Sequence, residues 1–487
     1  MSLRQNQKLV VAVVYVGAMF MAIMDTTIVN VALPTLGRDF HTQPDGVDLV
    51  SIAFLVSLAV FIPISGWLGD RIGGRRVLLG AIGVFTLASA LCGLSTSLGE
   101  LVAFRVLQGV GGGLMTPVGL SMLFRMFPPA ERVRAASILI VPTALAPASG
   151  PVLGGLFTTY LSWRWVFFVN VPIGVAAFAF GALFLANHTQ PDPGRLDIPG
   201  FALSGAGLGS AMFGLSEGPV TGWSSAPVIA TIVIGVTLLV AMVAVELRAT
   251  NPLIDLSLFR DRLFSSTTGV FMLASIAFLG ALYLAALFFQ DALGMSALAS
   301  GLATFPQALG VMTGSQIVTR VLYPRVGPRR IMVAGLLIVT GTMLLLAQVT
   351  AGTDLRLVPL IMLGFGIGMS CVFIPAQAAS FATLALAQIG RASSIFNAGK
   401  QLGGALGVAL LTTVLAGIGP TQDLSGHPSA NLAAYHDSFL SAAAVALLAA
   451  AVALTIHDDD ARATMVPRRH QTAVKPAKEP TITADAR

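Results

Sequence analysis

Charge is what this 487-residue chain has least of: Asp, Glu, Lys and Arg together make 10% of it, against about a quarter in a soluble domain. That scarcity excludes a soluble fold of this length, which could not cover itself with polar surface. Cysteine is nearly absent as well. Cys92 and Cys371 both fall inside apolar runs, which excludes a disulfide framework or a zinc site and reads as small buried hydrophobes. No Walker sequence occurs, so ATP is not the expected energy source; a gradient is, with no cofactor and no metal. Gly214–Gly218 (GLSEG) satisfies G-x-S-x-G, but no strand precedes it and the six histidines are expected in loops or the tail, so Ser216 is set aside as a nucleophile. Gly109–Gly113 is not a phosphate loop, because Leu114 stands where the last glycine belongs. No catalytic residue is expected.

What the chain does have is apolar length. Runs of 18 or more apolar residues recur throughout, each long enough to cross a hydrocarbon core of about 30 Å as a helix. The 51 glycines and 26 prolines sit largely within them, where membrane helices tolerate them. Fourteen spans are expected, near 9–31, 47–69, 77–96, 100–123, 134–158, 164–186, 198–216, 226–247, 267–290, 298–320, 331–350, 355–381, 393–417 and 436–456. The first begins after Arg4 and Lys8 like a signal peptide, yet its apolar stretch runs on to about Pro34 with no small-residue cleavage site, so it reads as a retained helix. With that count, 23 of the 28 basic residues fall on the side of the N-terminus and only Arg38, Arg164 and Arg356 on the other. Both ends of the chain are then cytoplasmic. Trp163, Trp165 and Trp223 mark outer helix ends and Trp67 an inner one. The net charge of +6 and pI near 9.7 come from short loops rather than a basic stripe, so no nucleic-acid partner is expected.

Signals recur in order at an offset near 250 residues. GWLGDRIGGRR (Gly66–Arg76) is echoed by LYPRVGPRR (Leu322–Arg330), Gly109, Gly111, Gly112 and Gly113 by Gly364, Gly366 and Gly368, and Gly154–Gly155 by Gly403–Gly404. The spacing equals one six-helix unit plus two inserted helices. The expected organisation is therefore a six-helix bundle over 1–187, two inserted helices and a linker over 188–265, a second bundle over 266–456, and a disordered tail over 457–487. Such a repeat around a midplane site is the plan of a rocking transporter.

These motifs resemble those of the fourteen-helix drug:proton antiporters of the major facilitator superfamily, over roughly residues 9–456. GWLGDRIGGRR is similar to the loop between helices two and three, and MDTTIVNVALP (Met24–Pro34) to the first-helix text of that branch. Arg105 with Gln108–Gly109 is similar to the fourth-helix motif. PASGPVLGG (Pro147–Gly155) is similar to the fifth-helix antiporter motif, and WRWVFFVNVPIG (Trp163–Gly174) to the entry of helix six. The resemblance implies an all-α major facilitator fold and a proton-coupled exporter of amphiphilic drugs or antibiotics, monomeric, in the bacterial inner membrane. A gradient-driven importer or lipid transporter on the same fold is the alternative. Two departures stand out: LYPRVGPRR has no counterpart of Asp70, and Lys400 stands where many relatives have arginine.

Single residues carry the expected chemistry. Asp25 is the one acid well inside an expected span; at the centre of a lone helix a charged Asp costs about 2.5–3.5 kcal/mol, so it needs a cavity or a partner. Arg105 is its natural electrostatic partner. The resemblance assigns Asp25 to proton coupling or cationic-substrate binding and Arg105 to proton transfer. With one buried acid, one proton per cycle is expected, electroneutral against a monovalent cation. Asp70, Arg71, Arg75 and Arg76 form the expected conformational latch, with Asp70 at a helix N-terminus. Pro147, Gly150, Pro151, Gly154 and Gly155 are expected to pack helix five against its second-half counterpart. Asp25, Asn30, Gln108, Gln377, Asn397 and Lys400 are the substrate-cavity candidates, with Lys400 pairing with substrate anions, with Asp25, or with Gln377 and Asn397. Glu217 and Asp291 read as solvated rim charges.

Overall fold

The computed structural model describes residues 6–42, 44–187, 194–350, 352–354, 356–424 and 427–465. Apolar runs without strand-type alternation fold here as helices, whose backbone groups are satisfied within each segment, as a lipid environment demands. In chain order these are α1 (Gln7–Asp39), α2 (Pro44–Phe61), α3 (Ile64–Ile72), α4 (Gly74–Leu94), α5 (Leu98–Met126), α6 (Arg132–Ile138), α7 (Ile140–Tyr160), α8 (Trp165–Phe168), α9 (Asn170–Phe184), α10 (Ile198–Thr221) and α11 (Ala226–Glu246). There follow α12 (Arg262–Leu287), α13 (Ala297–Thr304), α14 (Pro306–Ile317), α15 (Tyr323–Val326), α16 (Pro328–Leu346), α17 (Leu357–Ser380), α18 (Ile389–Ile418), α19 (Leu432–Ala453) and α20 (Arg462–Met465). One antiparallel hairpin, β1 (Thr421–Leu424) with β2 (His427–Ala430), joins α18 to α19; it was not expected.

Among the described residues eleven helices are long and apolar enough to cross a membrane, or twelve when α2 and α3 count as one span bent by 57°. The chain is a multi-pass membrane protein. The expected count of fourteen is not reached by this measure, for local reasons. The span expected at 298–320 is interrupted at Phe305–Pro306, where proline cannot continue the hydrogen-bond ladder. The span expected at 134–158 is split into α6 and α7, and several side chains of α7 lie outside the described set. The span expected at 47–69 bends at Ile62–Pro63. His436 lies within α19 rather than in a loop.

Close approaches between helices repeat from one half of the sequence to the other. A Cβ on Gly111 of α5 would lie 2.8 Å from the Ala81 carbonyl oxygen of α4. One on Gly368 of α17 would lie 2.9 Å from the Gly335 carbonyl oxygen of α16. In the same way Gly154 of α7 meets the Ile28 carbonyl of α1 at 3.1 Å, and Gly403 of α18 meets the Met272 carbonyl of α12 at 2.7 Å. Equivalent backbones thus touch through equivalent small residues.

Both described chain ends lie on one face of the molecule, called the terminal face below. Lys8 pairs with Glu131 at 2.5 Å, and α20 packs against the turn Pro129–Glu131. The segment expected to be disordered from His457 is ordered as far as Met465. Asp458 accepts a hydrogen bond from the Arg329 backbone N–H at 2.8 Å in the first turn of α16, and Thr464 shares one with the Tyr323 hydroxyl at 2.8 Å. Residues 466–487 of the expected tail lie outside the described residues.

Three substitutions test these contacts. Gly111→Ala forces backbone apart and lowers stability by about 1–3 kcal/mol, whereas Gly80→Ala, where a Cβ meets nothing within 4 Å, gains up to about 1 kcal/mol of helix propensity. Melting of the purified variants in detergent reads the difference, and equal shifts would contradict the packing assigned to Gly111. Asp458→Ala removes a cap supplied from the tail and costs about 0.5–2 kcal/mol; an unchanged melting temperature would show that the tail does not cap α16.

Candidate functional site

Asp25 lies on α1 with none of its surface exposed. One carboxylate oxygen meets the Arg105 Nη1 of α5 at 2.5 Å. The other accepts from Gln108 Nε2 at 2.8 Å and from Asn170 Nδ2 at 3.0 Å. Arg105 and Gln108 are three apart and so share a face of α5; the guanidinium also donates to Gln108 Oε1 at 2.8 Å. Its Nε donates to the Val50 carbonyl of α2 at 3.0 Å, and its carbon stands 4.3 Å from the Phe54 ring centre. Ser89 of α4 receives hydrogen bonds from Gln108 and Asn170 at 3.3 and 3.1 Å. Five elements therefore meet at one ion pair inside an apolar bundle.

The network explains how the charge is tolerated. A carboxylate accepting three N–H donors, one of them ionised, is compensated where water is excluded. Asn170 and Ser89 were missed as site residues. Asn170 could have been found, as a lone amide in the apolar run Val166–Val171; Ser89 could not, since serine is common in such helices.

The remaining site residues divide into those brought together and those left apart. Asp70 pairs with Arg125 of α5 at 2.6 Å and lies against Gly390 in the first turn of α18, where the helix end carries partial positive charge. Ser65 and Ser394 are bonded beside it at 2.9 Å, so the terminal ends of α3 and α18 are tied together. Arg132 donates to the Phe381 carbonyl, and Phe381 stacks on Phe124 with ring centres 4.7 Å apart. Arg75 instead donates to the Ala182 carbonyl of α9 at 2.6 Å. Arg71 and Arg76 are exposed and make no hydrogen bond among the described residues. Arg125, one of the 23 basic residues that the sequence places on the side of the N-terminus and assigns no further role, is the partner Asp70 uses.

The antiporter glycines need a correction. Gly150 and Gly154 face Thr27 and Ile28 of α1, within the same half, because the small-residue face of α7 is turned to α1. α7 reaches the second half through α13 and α14. Gly155 has open space around it, Pro147 is half-buried, and the Pro151 side chain lies outside the described residues. Among the cavity candidates, Asn30 is exposed and accepts from Ser51 at 3.0 Å. Asn397 donates back to the Ser393 carbonyl at 2.9 Å. Gln377 and Lys400 are half-buried. Lys400 pairs with neither Asp25, Gln377 nor Asn397: it makes no hydrogen bond, ion pair or cation–π contact among the described residues.

The family model described as Major Facilitator Superfamily matches residues 15–408. The chain belongs to that superfamily. This facilitator is 33% identical over 406 residues, 82% of its length and 75% of the relative's, to the multidrug resistance protein B homolog of Mycobacterium tuberculosis. It is 32% identical to the putative multidrug resistance protein MdtD of Cronobacter sakazakii, over 93% of its own length and 96% of the relative's. It is 31% identical to the tetracenomycin C resistance and export protein of Streptomyces glaucescens, over 83% and 75% of the two chains. In fold it is similar to the crystal structure of the human organic anion transporter MFSD10, with a TM-score of 0.65, 16% identity, and 92% and 99% of the chains covered. The chain is thus a transporter, with relatives in the drug-resistance branch that its motifs resemble.

A double exchange tests the ion pair. Asp25→Leu strands a buried guanidinium and costs about 3–5 kcal/mol, while Asp25→Leu with Arg105→Met recovers most of it. Thermal melting of both variants in detergent measures this; a double variant no more stable than the single one would contradict the buried pairing.

Proposed function

We propose that this facilitator is a proton-coupled antiporter exporting amphiphilic drugs or antibiotics by alternating access, in the bacterial inner membrane with its terminal face cytoplasmic. The observation that carries the reading is the fully buried Asp25–Arg105 pair between α1 and α5, joined by hydrogen bonds to α2, α4 and α9. A protonatable acid deep in an apolar bundle is a default site for proton relay. Protonating Asp25 releases the guanidinium, and that rearrangement is felt at once by α2, α4, α5 and the α9 start. The terminal-face contacts support the second half of the cycle. Asp70–Arg125 against α18, Ser65–Ser394 and Arg132–Phe381 are contacts that must break for the molecule to open on that side, while Asn30 and Ser51 remain accessible toward the other.

In this reading the fourteen crossings form two six-helix bundles with α10 and α11 inserted between them. The repeated α1–α7 and α12–α18 approaches support that division. Asp70 and Arg125 serve as the latch, and Gly150 and Gly154 seat α7 against the helix carrying the coupling acid. One proton enters per cycle and no cofactor takes part. A proton moving through 100 mV supplies about 2.3 kcal/mol, and each unit of pH difference about 1.4 kcal/mol. Those energies correspond to roughly fifty-fold and ten-fold substrate ratios.

Expression in a pump-deficient bacterial host is expected to raise the inhibitory concentration of some members of an amphiphilic antibiotic panel. Asp25→Asn, present in the membrane at wild-type level, is expected to lose that resistance. Resistance that survives Asp25→Asn would remove this carboxyl from the mechanism.

A further inference from the structure

Three charged side chains lie deep in the long helices: Asp25, Arg105 and Lys400. Two of them cancel. The Asp25 carboxylate is held by Arg105 at 2.5 Å and by two amide donors, so it offers little to a cationic guest while that pair stands. Lys400 has no such compensation. It is half-buried near the middle of α18 and engages no group among the described residues.

An aromatic layer begins one helical turn from that charge. Phe396 stands one turn before Lys400 on the same face of α18. Its ring lies 4.0 Å from Phe271 of α12 and 5.7 Å from Phe381, the ring that stacks on Phe124 across the two halves. Lys400 is therefore one turn outward from the aromatic layer closing the terminal face. From Phe271 the rings continue through Phe373 at 5.1 Å and Phe278 at 5.3 Å to Phe365 at 5.7 Å. Counting about 1.5 Å per residue from the helix starts on the terminal face, Phe271, Lys400 and Phe278 stand at about 14, 17 and 24 Å. The Lys400 backbone therefore lies in height between Phe271 and Phe278 of α12.

We propose that Lys400 is the anion anchor of the substrate site, and that the exported substrates are aromatic amphiphiles carrying one acidic group. The rings receive the apolar body and the ammonium receives a carboxylate, sulfonate or phenolate as a point charge. This rests on the exporter reading and narrows it. It also alters the electrical balance: one proton inward against one anion outward moves two positive charges inward per turnover, so transport responds to membrane voltage as well as to pH.

Binding and transport test the inference separately. Anilinonaphthalene sulfonate and phenylnaphthylamine share one aromatic body and differ by the sulfonate. Titrated against the full-length protein in nanodiscs, the sulfonate is expected to bind at least about tenfold more weakly to Lys400→Met than to wild type. Lys400→Arg restores binding, and phenylnaphthylamine binds all three alike, which also reports that the variants are folded. Loss of both ligands together, or no loss of the sulfonate, would overturn the anchor. In proteoliposomes with an imposed pH difference, valinomycin-driven voltage is expected to accelerate export of the sulfonate. Uphill movement of the cation ethidium without the sulfonate would overturn the anionic substrate class and leave the exporter reading intact. Movement of none of the three probes, with sulfonate binding still dependent on Lys400, would overturn the exporter reading alone.

Discussion

The structure is organised around one constraint: a carboxylate and a guanidinium, both stripped of water, must satisfy each other and every remaining donor. Asp25 accepts from Arg105, Gln108 and Asn170; Arg105 further contacts the Val50 carbonyl and the Phe54 face. Taking either ion out of water costs several kcal/mol, so each helix that supplies a partner is fixed in rotation by it. Gly150 and Gly154 pressing α7 onto Thr27 and Ile28, and Gly111 drawing α4 to α5, act on the same helices. Packing and charge compensation select one arrangement of the first half.

The second half repeats the backbone approaches without repeating the ion pair. α12 and α18 meet through Gly403 as α1 and α7 meet through Gly154, yet near its middle α18 carries Lys400 without a partner among the described residues. The two halves thus differ in charge: an internally compensated ion pair in one, and in the other an ammonium on α18 that engages no group among the described residues.

Much of this was legible in the sequence because charge inside apolar runs cannot be incidental. Asp25, Arg105 and Lys400 announced themselves that way, and the glycine echoes announced the repeated helix contacts. What was hidden has equally physical causes. A small-residue face states that a backbone approaches but not which one, so α7 was expected against the second half and lies against α1. Arg125 looked like a side-determining loop charge because nothing in a linear pattern shows that α5 brings it to Asp70. Ser89 was invisible because hydroxyls are ordinary in membrane helices, and their partners are set only by packing. Helix breaks at Ile62–Pro63 and Phe305–Pro306 sit within apolar stretches that hydropathy reads as continuous.

The first-half loop holds its own acid, Asp70, while the corresponding turn at Gly327 borrows Asp458 from beyond the final long helix. Residues 458–464 are synthesised after every helix they touch. During insertion, α16 must cross the bilayer with its first-turn amides unanswered by this carboxylate, and the Tyr323 hydroxyl must wait for Thr464. Completion of that face is therefore a late event in biogenesis: the knot is tied only once the ribosome has made the last strand of the cord.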